Sequence, residues 1–490
     1  MFYLLSLSLL TLFYSFFNAC YLPRRYRHLK KISILELLNY ILKKKSLSET
    51  FNELYQPILN KQGYSVIWQP RVWNLIVTDY KIIKEVMLNT ETFYKSPEKR
   101  VNYGDLYFKF FGGFNVVFSD EQEWKLHRKS VNPAFKKSWD INVFAKSGYE
   151  LIDKIESRNQ EPTIMQNMFQ QLALDILGRS LFSYEFHALK NGDKNENLLN
   201  YNQTVKGVFN LIYFMFPILD FFASKLLTSR KLVHQNCDDF KNFLKKIINS
   251  KKEEIESGLV KDDIVTLMIK DSIKNGEDSL TNEEILNNLT IFFVAGHDTT
   301  ANTFTSTLYF LAKYQDIQEK ARKQILEVLG NSNEIKVPTN SQQKELDYLN
   351  CVIKESMRIA TTSVPLKRYA NKNATLSDGT EIKRGDMISL VLYLHHRNPE
   401  YFPEPEIFNP DRFKDPHSIQ STMWMPFGIG SRICVGLNFS LIEQRVILLM
   451  LLQKYFIHLG PSSKQWKTPK YNSTGFMYID NADIVFIPRI

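Results

Sequence analysis

From Met1 to Pro23 the chain carries no charged residue and is rich in Leu and Phe. At ~1.5 Å per helical residue, that run is long enough for a ~30 Å hydrocarbon core. Arg24, Arg25, Arg27, Lys30 and Lys31 follow at once. With no Lys or Arg ahead of the run, the positive-inside rule sets the N-terminus outside the cytosol and the remainder within it. A cleaved signal peptide is the alternative; the length of the run and the want of a clean small-residue cleavage site weigh against it. The expected division is an N-terminal transmembrane anchor at 1–23, a basic linker at 24–50 and one large folded domain at 51–490.

Two β-like runs, Tyr64–Trp68 and Val72–Val77, flank Gln69 and Pro70. A second pair flanks the turn Ser377-Asp378-Gly379-Thr380 and ends in Met387 to Leu392. Most of the remainder repeats its apolar positions at helical spacing, so the expected fold class is mainly α with a small β portion. The clearest helix starts at Thr281, which with Glu284 makes a capping-box pattern, and continues to about Tyr314. It is largely apolar and therefore buried. Yet its middle reads Ala295-Gly296-His297-Asp298-Thr299-Thr300. Polar residues and a glycine inside a buried helix cost stability unless they are satisfied or used.

Composition narrows the class. Apolar residues make up 44% of the chain and charged residues 23%, which allows a large core and excludes general disorder. The net charge of +10 comes without a long basic tract or a nucleic-acid motif, so it favours an anionic membrane surface or an acidic partner protein. Cys20, Cys237, Cys351 and Cys434 are far apart, which leaves no CxxC site and no disulfide framework. A reducing, cytosol-facing domain fits that usage.

Near the C-terminus, residues 427–436 read FGIGSRICVG. Three glycines give a tight loop that brings backbone close to a flat ligand. Cys434 stands just before the amphipathic run from Leu437 to Tyr455, near a helix N-terminus, where the dipole favours a thiolate. Phe427, Gly430, Arg432, Cys434 and Gly436 fall on F-x-x-G-x-R-x-C-x-G, the haem-binding signature of the cytochrome P450 family, which this chain resembles. The likeness continues in the family's order. Trp124 and Arg128 match W-x-x-x-R, and AGHDTT at 295–300 is similar to the oxygen-activation motif. Glu355 and Arg358 match E-x-x-R, and PEIFNPDRF at 405–413 matches P-x-x-F-x-P-x-R-F.

The resemblance implies a haem-thiolate monooxygenase with the P450 fold, 51–490 being its catalytic domain. It implies haem b with Cys434 as the iron's axial ligand. The haem is expected not to be covalently attached, because Ala295 stands where some relatives carry an ester-forming glutamate. Trp124, Arg128, Arg368 and Arg432 are implied at the propionates. Gly296, Phe427 and Gly436 are implied beside the cofactor. Asp298 and Thr299 are expected to relay protons; a Thr299 hydroxyl bonded back to its own helix is the plainer reading. Glu355 and Arg358, three apart, share a helix face and should form a buried pair extended to Arg412, holding the cysteine loop. The family's proline after E-x-x-R is replaced by Thr361. His395 and His396 are read as structural. Substrate-pocket positions by the family layout are Phe111, Phe114, Phe292, Ala295, Ser363, Val364 and Phe476.

No flavin or nicotinamide motif is present, so electrons must come from outside; the resemblance implies an NADPH-dependent flavoprotein reductase as donor, with a small cytochrome as a further one. Lys125, Lys129, Lys136 and Lys137 could dock such a partner. The expected setting is the endoplasmic reticulum membrane, single-pass, with a lipophilic small molecule as substrate and no nucleic acid. Fatty acids, sterols and xenobiotics all remain open. An isomerase or dehydratase acting on a hydroperoxide, or a non-catalytic haem sensor, are the alternatives; the retained Asp298 and Thr299 argue against both.

Overall fold

A computed structural model of the chain describes residues 22–489 apart from 70–71, 97–103, 259–260, 333, 363–364, 465–467 and 474–475. Helices that position the site are α1 (Ile34–Leu42), α2 (Leu106–Phe111), α3 (Glu121–Lys136), α4 (Met165–Leu177), α5 (Glu196–Val208), α6 (Thr228–Glu256), α7 (Asn282–Lys313), α8 (Asp347–Ile359) and α9 (Leu437–Lys454). The main sheet contains β1 (Lys31–Ile32), β2 (Tyr64–Gln69), β3 (Val72–Val77), β4 (Phe93–Tyr94), β5 (Leu366–Ala370) and β6 (Met387–Leu390), in the order β1-β2-β3-β6-β5-β4. Antiparallel β2–β3 pairs Trp68 with Trp73, and β6 lies parallel to β3 with Leu75 opposite Ile388. The result is a mainly helical molecule with a small sheet on one flank.

The central helix α7 starts as its capping box dictates. The Thr281 hydroxyl accepts from Glu284 N (3.2 Å), and Thr281 N donates to the Glu284 carboxylate (2.8 Å). It packs along α4, where Phe169 stacks on Phe304 at 5.2 Å. Helix α9, read from sequence as amphipathic, is buried on every side from Val446 to Leu452, and nearer its start Phe439 packs against Trp139 at 4.7 Å.

The segment 24–50 is folded against the sheet at its start. Tyr26 is fully buried and its hydroxyl donates to Asp386 (2.8 Å), which also pairs with Arg25. Lys31 and Ile32 add a parallel strand to β2. The basic residues that suggested a solvated tether sit beside an apolar side chain and a buried acid, which is what folds the segment onto the sheet. Residues 1–21, which hold almost all of the expected anchor, lie outside the described residues. Among the described residues no helix is long and apolar enough to cross a membrane.

His395 and His396 lie at the end of a single helical turn, not on a strand. Both are buried, and both bond to backbone: His395 to Met423 O (3.0 Å) and His396 to Met425 N (3.1 Å). Thr361 replaces the proline stop of α8 by donating its hydroxyl to Arg358 O (3.0 Å).

Candidate active site

Cys434 sits at the end of a loop folded on itself. Gly428 and Gly430 both adopt φ above +70°, a left-handed backbone that favours glycine. Gly428 N donates to Met425 O (3.0 Å) and Cys434 N to Phe427 O (3.0 Å). A side chain at Gly430 would strike Leu88 at 2.6 Å. The sulfur has accessible surface, whereas Cys237 and Cys351 are buried. Burial pushes the Cys434 thiol up; the Gly436 N–H and the Lys95 and Arg128 cations pull the other way.

Four cations gather on this side. Arg432 reaches Asp120 (2.9 Å) and Ser119 O, and its guanidinium lies 4.5 Å over the Trp124 ring. Its Nη1 is buried with no hydrogen-bond partner. Burial lowers Arg368 to about 10 and Arg432 to about 10, and burial with repulsion from these two arginines lowers Lys95 to about 7. Burial also lowers Arg128, which makes no ion pair among the described residues. Asp120 is the carboxylate that offsets them. It accepts from Lys95 N and Ser96 N, so it is spent before it can cap α3, whose N-terminus it occupies. A cluster with this excess of positive charge suits an anionic group. The thiol, the glycine loop and the orphaned guanidinium N–H together fit a haem with two propionates.

Helix α8 is bound to the same loop by a buried network. Glu355 and Arg358 are both fully buried and pair at 2.7 and 2.9 Å. Arg412 Nε lies 3.3 Å from Glu355, and Asn409 N donates to it (2.9 Å). Arg358 also donates to His396 O (2.8 Å) and Pro405 O (2.7 Å). His396 Nε2 accepts from Met425 N, at the base of the cysteine loop. Burial and the neighbouring His395, Arg358 and Arg397 hold His396 well below its usual range, so it stays neutral and free to accept. Trp424 Nε1 adds a bond to Lys354 O (2.9 Å).

In α7, Ala295 presents accessible surface at the middle of an otherwise buried helix. Phe292, one turn earlier, packs on Phe135 (5.8 Å), and a Cβ on Gly436 would lie 3.9 Å from both Phe135 and the Cys434 sulfur. Phe135 thus bridges the cysteine loop and the centre of α7. Gly296 does something other than expected. A Cβ there would meet Leu177 at 2.6 Å, so its bareness lets α7 close on α4. Thr299 donates its hydroxyl to Ala295 O (2.6 Å), the plainer reading, and does not touch Asp298. Asp298 instead accepts from Gln170 Nε2 (2.9 Å) and Tyr201 OH (2.8 Å). Burial would raise this carboxyl; His297 beside it and those two donors outweigh burial and hold it below the usual range.

The expected pocket residues scatter. Phe111 is buried in an aromatic group with Tyr107, Phe110, Phe118 and Phe209. Phe292 is core, Phe114 is exposed, and Phe476 is half-buried beside Asp298 in a cleft. Ser363 and Val364 lie outside the described residues. Lys95, Asp120, Gln170 and Tyr201 were invisible in sequence, since each meets its partner across a long stretch of chain with no local pattern to announce it. The same holds for His127, one residue before Arg128, whose ring joins Asn288 of α7 at 2.8 Å and seats α3 on that helix.

The sequence profile described as Cytochrome P450 matches residues 33–484. Cytochrome P450 3A41 of Mus musculus is 27% identical over 403 residues, covering 78% of this chain and 76% of the relative. Cytochrome P450 3A30 of Fundulus heteroclitus is 29% identical over 420 residues, covering 81% and 80%. Among solved structures, the cytochrome P450DA heme domain superposes with a TM-score of 0.78 at 19% identity, over 92% of this chain and 95% of that one.

Proposed function

The chain belongs to the cytochrome P450 family and is a haem-thiolate monooxygenase, and from that premise we propose that it oxidises a lipophilic organic substrate, by hydroxylation or epoxidation, with electrons from NADPH delivered by a flavoprotein reductase. For hydroxylation the balance is RH + O2 + NADPH + H+ → ROH + H2O + NADP+. The observation that carries the reading is Cys434, a thiol with accessible surface, at the start of α9, faced by the Gly436 N–H and two cations. Haem b, when bound there, supplies dioxygen activation, and a thiolate ligand favours O–O cleavage.

This chain's residues do the rest. Trp124, Arg128, Arg368 and Arg432 hold the propionates, joined by Lys95. Phe427 and Gly436 shape the loop around the sulfur. Glu355, Arg358 and Arg412 keep that loop in place through His396. Asp298 takes up protons at its carboxylate, and Thr299 presents its hydroxyl oxygen beside Ala295. The test is reductase-supported NADPH oxidation across a set of lipophilic compounds, read with spectral shifts on binding. A protein that shifts for none of them and forms no oxygenated product contradicts the assignment.

Haem b is held without a covalent bond in this reading, since Ala295 offers no carboxylate. Acid and organic solvent should extract all of it from denatured protein; haem retained with the polypeptide refutes this.

Lys125, Lys129 and Lys136 are exposed along α3, the helix that carries Arg128. Lys137 is committed to Asp262 O (2.7 Å). We assign the first three to docking of an acidic reductase, with a small cytochrome as a further donor on the same face. Exposed charges are screened within a Debye length of ~8 Å at physiological salt. Reductase-supported turnover should therefore fall several-fold as salt rises, and the Lys125→Glu, Lys129→Glu double variant should start low and lose that dependence.

A single-pass anchor at 1–23 and an endoplasmic reticulum setting with the catalytic domain in the cytosol complete the proposal. Exposed Leu35, Leu38 and Leu42 on α1, and Leu211, Ile212 and Phe214 at 211–215, support a bilayer lying against the fold.

A further inference from the structure

Asp298 faces away from Thr299. Its two carboxylate oxygens are held separately, Oδ1 by Gln170 of α4 and Oδ2 by Tyr201 of α5. Tyr201 is fully buried, and its ring is wedged among Phe110, Phe240, Phe293 and His297. Its hydroxyl therefore has little freedom to leave. Between α4, α5, α7 and the Met477–Ile479 strand lies a cleft of about 580 Å3 that opens to solvent, and Asp298 is among its walls. The lining is rich in side-chain amides, among them Gln166, Asn167, Gln170, Asn202, Gln203 and Asn481. Amides donate and accept at once and carry no charge. Lys206 and Asp480 are its charged members beside Asp298, and the amides between them suit ordered water.

We propose that Tyr201 and Gln170 are positioning residues for the reaction, holding the Asp298 carboxylate turned into this amide-lined cleft so that it draws its protons from the cleft's water. The inference rests on the reading of Asp298 as a proton carrier and adds its source and its holders. Reducing O2 to hydrogen peroxide takes two electrons and two protons; reducing it to two waters takes four of each. A carboxylate that is slow to reload protons therefore sends more of the oxygen out as peroxide. Gln170 and Tyr201 donate as neutral groups; His297, the ionisable neighbour on the same helix, has its Nδ1 3.3 Å from Oδ1 without an aligned hydrogen bond and helps to hold the carboxyl below its usual range.

The test uses the full-length, haem-loaded protein with reductase and NADPH and needs no identified substrate, because oxygen consumed and peroxide released are measured directly. Tyr201→Phe deletes one hydroxyl and keeps the buried ring; Gln170→Ala removes the other donor from a half-buried site. Each should raise the ratio of peroxide to water about tenfold, the scale of one hydrogen bond to a charged group, and increase the solvent deuterium isotope effect on NADPH oxidation. Asn202→Trp, which fills the cleft without touching Asp298, should act in the same direction. Infrared difference spectra taken against Asp298→Asn should show the carboxylate stretch displaced in Tyr201→Phe and Gln170→Ala and unmoved in Asn202→Trp. The thiolate-type carbon monoxide spectrum should be intact in all of them. If Asp298→Asn raises peroxide while Tyr201→Phe and Gln170→Ala match the wild type, the positioning role is refuted and the proton-carrier reading survives. If Asp298→Asn itself matches the wild type, the carrier reading falls and this inference with it.

Discussion

Exchange of Cys434 for alanine should all but abolish oxygenation and remove the thiolate-type absorbance of the reduced protein under carbon monoxide. No other described sulfur can take its place. Cys237 is buried with its thiol pushed up to about 12, and burial raises Cys351 as well. At Cys434 burial also pushes the thiol up, but here the Gly436 N–H and the cations of Lys95 and Arg128 converge on one sulfur and pull the other way. Loss of an outer partner of a metal site already costs ~10–100-fold, so loss of the ligand itself should exceed ~100-fold in turnover. In the proposed reading Arg368, Arg432 and Trp124 still hold haem in this variant, which makes the spectrum the decisive readout. A thiolate-type band in the alanine variant would dismantle the whole assignment.

Glu355→Ala should leave little haem-loaded protein. The carboxylate is fully buried and accepts from two arginines and the Asn409 N–H. Removing it strands the equally buried Arg358, an uncompensated charge whose cost is ~3–5 kcal/mol. That is a large part of the ~5–15 kcal/mol by which a domain is stable. The damage also has a direction. Arg358 holds His396 O, and His396 receives Met425 N at the foot of the cysteine loop, so the loop loosens first. Haem-to-protein ratio after purification checks this, together with the thermal midpoint. Glu355→Gln, which keeps the shape, should fall between wild type and alanine. Normal haem content in Glu355→Ala would show that the network does not support the loop.

What the sequence discloses about this site is whatever is written locally. Glu355 and Arg358 lie three apart on one helix, and the capping box at Thr281 fixes where α7 begins; both are as the spacing implies. The cysteine loop advertises itself by glycines that must adopt positive φ. The holders of Asp298 are illegible for the opposite reason. Gln170 and Tyr201 are 128 and 97 residues from it, and neither stands out in its own helix. Lys95 is likewise an unremarked loop residue until folding sets it beside Arg368 and Arg432. Gly296 shows a subtler limit. Its smallness is plain in the sequence, but the side of the helix that needs the room is not, and the close neighbour is Leu177. In the run at 24–50 charge density alone suggests solvent, while Arg25 and Tyr26 on Asp386 hold its start against the sheet, a contact with no local signal.

That same run has a mechanical meaning. Arg25 and Tyr26 grip Asp386, and Lys31 and Ile32 extend the sheet, so almost no slack chain separates residue 22 from the folded body. Residues 25–32 therefore form a stiff bracket and not a leash. Any pull applied ahead of residue 22 passes straight into the sheet.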